Sequence, residues 1–159
     1  ETRLANNLKF QQQAQEMAEF SLRSAEAQLQ QTVVRSDQIF QFFVSDSADH
    51  IPGYAAPVLT GGASKLPFTP TDVDDRTGWA SGNSVQVQST NTNLAGRYVV
   101  EYIGRVGLPP LDSEDVDRRH FAFRITAIGY SLEGNAVGKA SYILQSTYTQ
   151  PLAGTGALL

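Results

Sequence analysis

The groups best suited to chemistry in this chain are carboxylates gathered in two short runs: Asp72, Asp74 and Asp75 in TDVDD, and Asp112, Glu114, Asp115 and Asp117 in LDSEDVD. Ca²⁺ takes about six to eight oxygen ligands in flexible geometry, so loops this rich in oxygen are where such an ion would sit. Neither run has the glycine-bracketed spacing of an EF-hand, and the competing reading is a pair of solvated loops that favour solubility. His50 and His120 are 70 positions apart, and neither lies beside a Ser, Asp and Gly arrangement that resembles a nucleophile elbow. There is no HExxH pattern and no glycine-rich phosphate loop ahead of a helix. No catalytic residue is assigned, the chain reads as a non-enzyme, and Ca²⁺ is the one cofactor the residues suggest. Trp79 and Tyr54 lie in an irregular stretch, where an aromatic side chain either joins a recognition patch or, more often, anchors its loop to the core.

Composition narrows the classes further. With 12 Lys+Arg against 16 Asp+Glu the formal charge is -4, which supplies no basic field for phosphates, so no nucleic-acid partner is expected. Cysteine is missing altogether, which removes disulfides, thiolate metal sites and thiol nucleophiles without fixing the compartment. No apolar run reaches the roughly 18 residues of a membrane span, and ETRLANNLKF lacks the apolar centre of a secretory signal. A helical pattern is already running at residue 1 without a cap residue or turn ahead of it, as in a helix continued from an earlier segment.

The elements that must position these groups follow from punctuation and periodicity. From Leu4 to Ile51 there is no Gly or Pro, and the first 35 residues are rich in Gln, Glu, Ala and Leu, so one long helix is predicted over residues 1–45. Leu8, Gln11, Gln15, Ala18, Leu22, Ala25 and Leu29 follow a 3,4 spacing that places them on one stripe. Its early part is polar or small. Its later part and the residues beyond, including Val33, Phe40 and Phe43, are large and apolar, which predicts a core-facing second half. Residues 46–95 are punctuated by Gly and Pro and predict a long irregular αβ loop region, in which only Val85–Gln88 alternates like a strand. Residues 96–149 predict an antiparallel sheet from Arg97–Val106, His120–Ser131 and Ala140–Thr149, all rich in β-branched and aromatic residues. Phe121, Phe123, Ile125 and Ala127 share one face of the second strand, and Gly134-Asn135 suits a tight reversal into the third. Residues 150–159 carry no pattern and read as a flexible tail. The fold class is α+β, one domain over residues 1–149.

Two stretches are more specific than this order of elements. MAEFSLRSAEAQL, residues 17–29, with LANN ahead of it, resembles the helix segment of PilX-type minor pilins of type IV pili. FRITAIGYSLEGNAVGKASYILQSTYT, residues 123–149, is similar to the closing hairpin of the same family. The resemblance implies a pilin-like fold and a native protein that begins with a leader peptide and an apolar helix held in the bacterial inner membrane, facing the periplasm, before incorporation into an extracellular pilus. Glu1 then differs from the acidic residue that pilins use near their mature N-terminus.

The function that this implies is structural: a minor pilin at or near the pilus tip that helps start assembly with other minor pilins and the major pilin, and that contacts a pilus-tip adhesin. The expected partner-binding face is the polar and small part of the helix, Leu8, Gln11, Ala14, Gln15 and Ala18, because an isolated polar helix is only marginally stable in water and needs neighbours. The alternatives are a pseudopilin of a type II secretion system and a pilus-borne head domain that binds a carbohydrate or host surface through residues 52–94.

Overall fold

The computed structural model describes residues 2–71, 78–79, 82–90, 94–106, 120–133 and 136–151. Helix α1 spans Thr2–Thr32, with good helix formers throughout and no Gly or Pro inside it. It stops where three β-branched residues, Thr32, Val33 and Val34, follow one another. The predicted single helix over residues 1–45 is therefore two: a break at residues 33–36 precedes α2, Asp37–Phe43. Side chains take up the backbone groups that the break frees. Gln38 Oε1 accepts from the Val34 and Arg35 amides at 2.8 and 2.9 Å, and Gln150 Nε2 donates to the Val33 carbonyl at 2.8 Å. In α2, Ile39 and Phe43 lie one turn apart and are buried, whereas Phe40 points outward and is 44% exposed. Phe40 is thus not a core residue.

The sheet has five strands and is mixed rather than wholly antiparallel. Strands β3 (Leu94–Val106), β4 (His120–Glu133) and β5 (Ala136–Gln150) form the expected antiparallel meander. The loop region supplies two more: β1 (Tyr54–Ala55) runs parallel to β3 beside Val100 and Glu101, and β2 (Val85–Val87) runs antiparallel to it beside Gly96, Arg97 and Tyr98. Both lie on the edge of β3 opposite β4 and meet end on. There Gly53 has φ +92°, and a Cβ on it would lie 2.9 Å from the Ser84 Cα, so only glycine fits. A short helix, α3 (Pro57–Thr60), follows β1. Glu133 pairs with Ala136, while Gly134-Asn135 lie outside the described residues. Gln150, placed in the tail by its sequence, is the buried last residue of β5. Residues 152–159 are outside the described set.

The alternation along β4 sorts the core into two layers. Phe121, Phe123, Ile125 and Ala127 join Met17, Ala25, Leu29, Ile39 and Phe43 beneath the helices, with Phe43 against Tyr54 and Phe123 at ring separations of 4.8 and 5.5 Å. Val99, Ile128 and Tyr130, on the other face, are covered by Leu66, Phe68 and Trp79 of the loop region. Glu101 and Arg124 also sit across the β3–β4 ladder, in a two-pronged ion pair at 3.1 Å for each arm.

Candidate functional site

The seat of α1 on the sheet is set by two glycines that neither composition nor periodicity singles out. Gly96 of β3 and Gly129 of β4 are register partners, so they form a flat spot across two adjacent strands. A Cβ on Gly96 would run into Ser21 Oγ and lie 2.9 Å from the Met17 side chain. A Cβ on Gly129 would run into the Ala14 carbonyl and the Ala18 amide, which are backbone atoms of the helix itself. The helix thus rests on the sheet almost without intervening side chains, and Ser21 satisfies its buried hydroxyl by donating to the Met17 carbonyl at 2.8 Å. Ala14 and Ala18 are fully buried in this seat. Their expected role as small residues open to neighbouring helices is corrected: their smallness lets the chain's own sheet approach.

Ahead of this seat the described side chains from Leu4 to Lys9 are exposed. Leu4 and Leu8 are 64% and 63% exposed, and Ala5, Asn7 and Lys9 are exposed around them. Gln13 ties the helix to the sheet, its Oε1 accepting from Ser131 Oγ at 3.3 Å. Gln11 and Gln15 are exposed beside the seat. Of the predicted partner-binding face, the structure leaves Leu8, Gln11 and Gln15 accessible and withdraws Ala14 and Ala18.

A groove opens on the flank of α1, between it and β2. It consists of two adjoining cavities of about 350 and 380 Å³ that share Phe20 and Gln88. Phe20, which the sequence reading did not single out, is 49% exposed there. The groove floor includes Tyr54 and Tyr98, whose hydroxyls are hydrogen-bonded to each other. Burial, with Tyr98 beside it, pushes the Tyr54 phenol far above its ordinary value of 10.0, and burial also raises Tyr98. Behind β2, burial pulls the Arg97 guanidinium below its ordinary range, yet an arginine stays protonated and here donates to the Ser84 carbonyl at 2.9 Å and to the Ser84 hydroxyl.

The remaining candidates are plainly placed. Asp72, Asp74, Asp75, Asp112, Glu114, Asp115 and Asp117 all lie outside the described residues. Among the described residues no cluster of three or more His, Asp or Glu could hold a metal. His50 Nε2 is 2.8 Å from the Tyr54 carbonyl, a bond that fastens the exit from α2 to β1. His120 pairs with Val106 at the start of β4. Trp79 and Tyr54 are buried, so they anchor the loop and form no exposed patch; Trp79 meets Phe68 edge-on at 5.1 Å. No helix among the described residues is long and apolar enough to cross a membrane.

The described residues form an α+β domain whose sheet carries the helices on one face and is partly covered by the loop region on the other. A family model described as the C-terminal part of the type IV pilus assembly protein PilX matches residues 53–150, more than half of the 159 residues, and the chain belongs to this family. The match takes in all five strands. It ties the chain to type IV pilus assembly and to association with other pilus components. Comparison with curated proteins and with solved structures gave no match.

Proposed function

We propose that this chain is a minor pilin, positioned at or near the tip of a type IV pilus, which helps initiate polymerisation together with other minor pilins and the major pilin and supports a tip adhesin. Before assembly it is held in the inner membrane, facing the periplasm, by an apolar helix preceding α1, as its resemblance to minor pilins implies. The observation that carries this reading is the bare stretch of α1: Leu4 and Leu8 leave nearly two thirds of their surface in solvent, ahead of a stretch of the helix that is seated on its own sheet. Large apolar side chains on a projecting helix suit helix–helix contacts with neighbouring subunits. Leu8, Gln11 and Gln15 would line that contact, with Leu4 added and Ala14 and Ala18 left to the domain's interior.

The test is a deletion strain complemented with the wild-type gene or with Leu4→Asp/Leu8→Asp, scored for surface pili and twitching. The deletion should reduce piliation, wild type should restore it, and the double variant should not, although its purified domain melts like wild type. Normal piliation in the deletion strain would sink the assembly role. Full rescue by the double variant would sink the helix surface.

A further inference from the structure

The groove between α1 and β2 has a lining that the assembly reading does not use. Its cavities, of about 350 and 380 Å³, fall within the roughly 300–1,000 Å³ typical of ligand pockets. The first contains no charged side chain, and the second contains one, Glu16, one helical turn from Phe20. Anionic ligands are disfavoured here, since no cation lines either cavity and the chain carries a formal -4. What the groove offers instead is amide chemistry. Gln28, Gln86 and Gln88 line it, and each amide both donates and accepts, matching the dual character of a hydroxyl group.

Phe20 lines both cavities and leaves half its surface in water, which gives the groove an open apolar platform in company with the amides. The walls are fixed. Helix α1 is seated on Gly96 and Gly129, and β2 is paired with β3 directly above the hydrogen-bonded Tyr54 and Tyr98. An extended peptide is a poorer fit than a sugar, because β2 presents only three residues of edge against the usual five or six of a strand.

We propose that this groove binds a neutral oligosaccharide, with a sugar ring lying on Phe20 and its hydroxyls bonded to Gln28, Gln86 and Gln88. This goes beyond the assembly role and does not depend on it. The test uses the purified protein on a printed array of neutral and sialylated oligosaccharides, followed by calorimetric titration of the best-bound glycan. Neutral glycans should be retained and their sialylated counterparts rejected. Phe20→Ala should weaken binding by about tenfold, the scale of one lost aromatic contact, without lowering the melting temperature. Gln86→Ala, exposed on β2, serves as a second variant and should weaken binding in the same way. Retention of no neutral glycan, a preference for sialylated ones, or wild-type affinity in both variants would overturn the proposal. So would selection of peptides from a displayed library, blocked by Phe20→Ala, while the array stays dark.

Discussion

Gly129 shows how one missing atom sets the architecture. Any side chain there meets the Ala14 carbonyl and the Ala18 amide, and backbone cannot swing aside as a flexible side chain can. Gly129→Ala should therefore destabilise the domain by roughly 1–3 kcal/mol in urea unfolding, the range for overpacking a filled interior. Gly96→Ala should cost less, since its neighbours include the flexible Met17 side chain. A contrast at the same scale separates two phenylalanines three positions apart. Phe43 is fully buried against Tyr54 and Phe123, so Phe43→Ala should cost about 3–5 kcal/mol, whereas half-exposed Phe40→Ala should cost about 0.5 kcal/mol or less. Equal losses would place both rings in the core.

Tyr54 adds a pH term with a definite sign. Its folded-state pKa is raised above the ordinary 10.0, so above that pH the unfolded chain loses a proton that the folded one keeps. The stability it contributes is complete below about pH 10 and falls as pH rises, by up to about 1.4 kcal/mol per pH unit for this group. Unfolding free energies measured from pH 8 to 11 should therefore drop more steeply in wild type than in Tyr54→Phe. Parallel curves would show that the phenol ionises alike in both states.

At the scale of elements, what could be read in advance was whatever depends on neighbours in sequence. The three long strands were legible because Phe121, Phe123, Ile125 and Ala127 alternate with polar residues, and β2 because VQVQ does the same. The break after α1 was not, because its stability comes partly from Gln150, 117 positions away from Val33. Local composition, with three β-branched residues at 32–34, hinted at a weak point but not at a stop. The helix stripe holds at Ala18, Ala25 and Leu29, which are fully buried, and departs from the reading at one turn. Ser21 is buried and Leu22 only partly, since the seat is shaped by Gly96 and Gly129 and not by side-chain hydrophobicity. Strand β1 was missed because two residues are too few to show a period. Of the expected helix face, the polar residues Gln11 and Gln15 stay in solvent, whereas Ala14 and Ala18 are buried against the sheet. If Gln150 caps the break, Gln150→Ala should cost about 1–3 kcal/mol, the penalty for leaving the buried Val33 carbonyl without a donor. Thr147→Ala, at an exposed position of the same strand, is the control.

At the scale of the molecule, the proposed assembly role and the domain's stability would fall to different parts of one helix. From Ala14 to Leu29, α1 presents buried residues to the sheet, and its conformation is dictated by that contact. From Leu4 to Lys9 every described side chain is exposed, so these turns are helical by propagation from the seated part and contribute almost nothing to the core. The two functions should therefore separate on truncation. Removal of residues 1–9 from the purified domain should change its unfolding free energy by about 0.5 kcal/mol or less, the usual effect of surface changes. An internal deletion would shift the register of everything ahead of it, so the matching test in the full-length protein keeps the helix and replaces Leu4, Ala5 and Leu8 with Gln. That variant should fold with wild-type stability and fail to restore pili in the deletion strain. A large loss of stability on truncation would mean that the projecting turns support the head, and normal piliation with three glutamines would mean that subunits meet through some other surface.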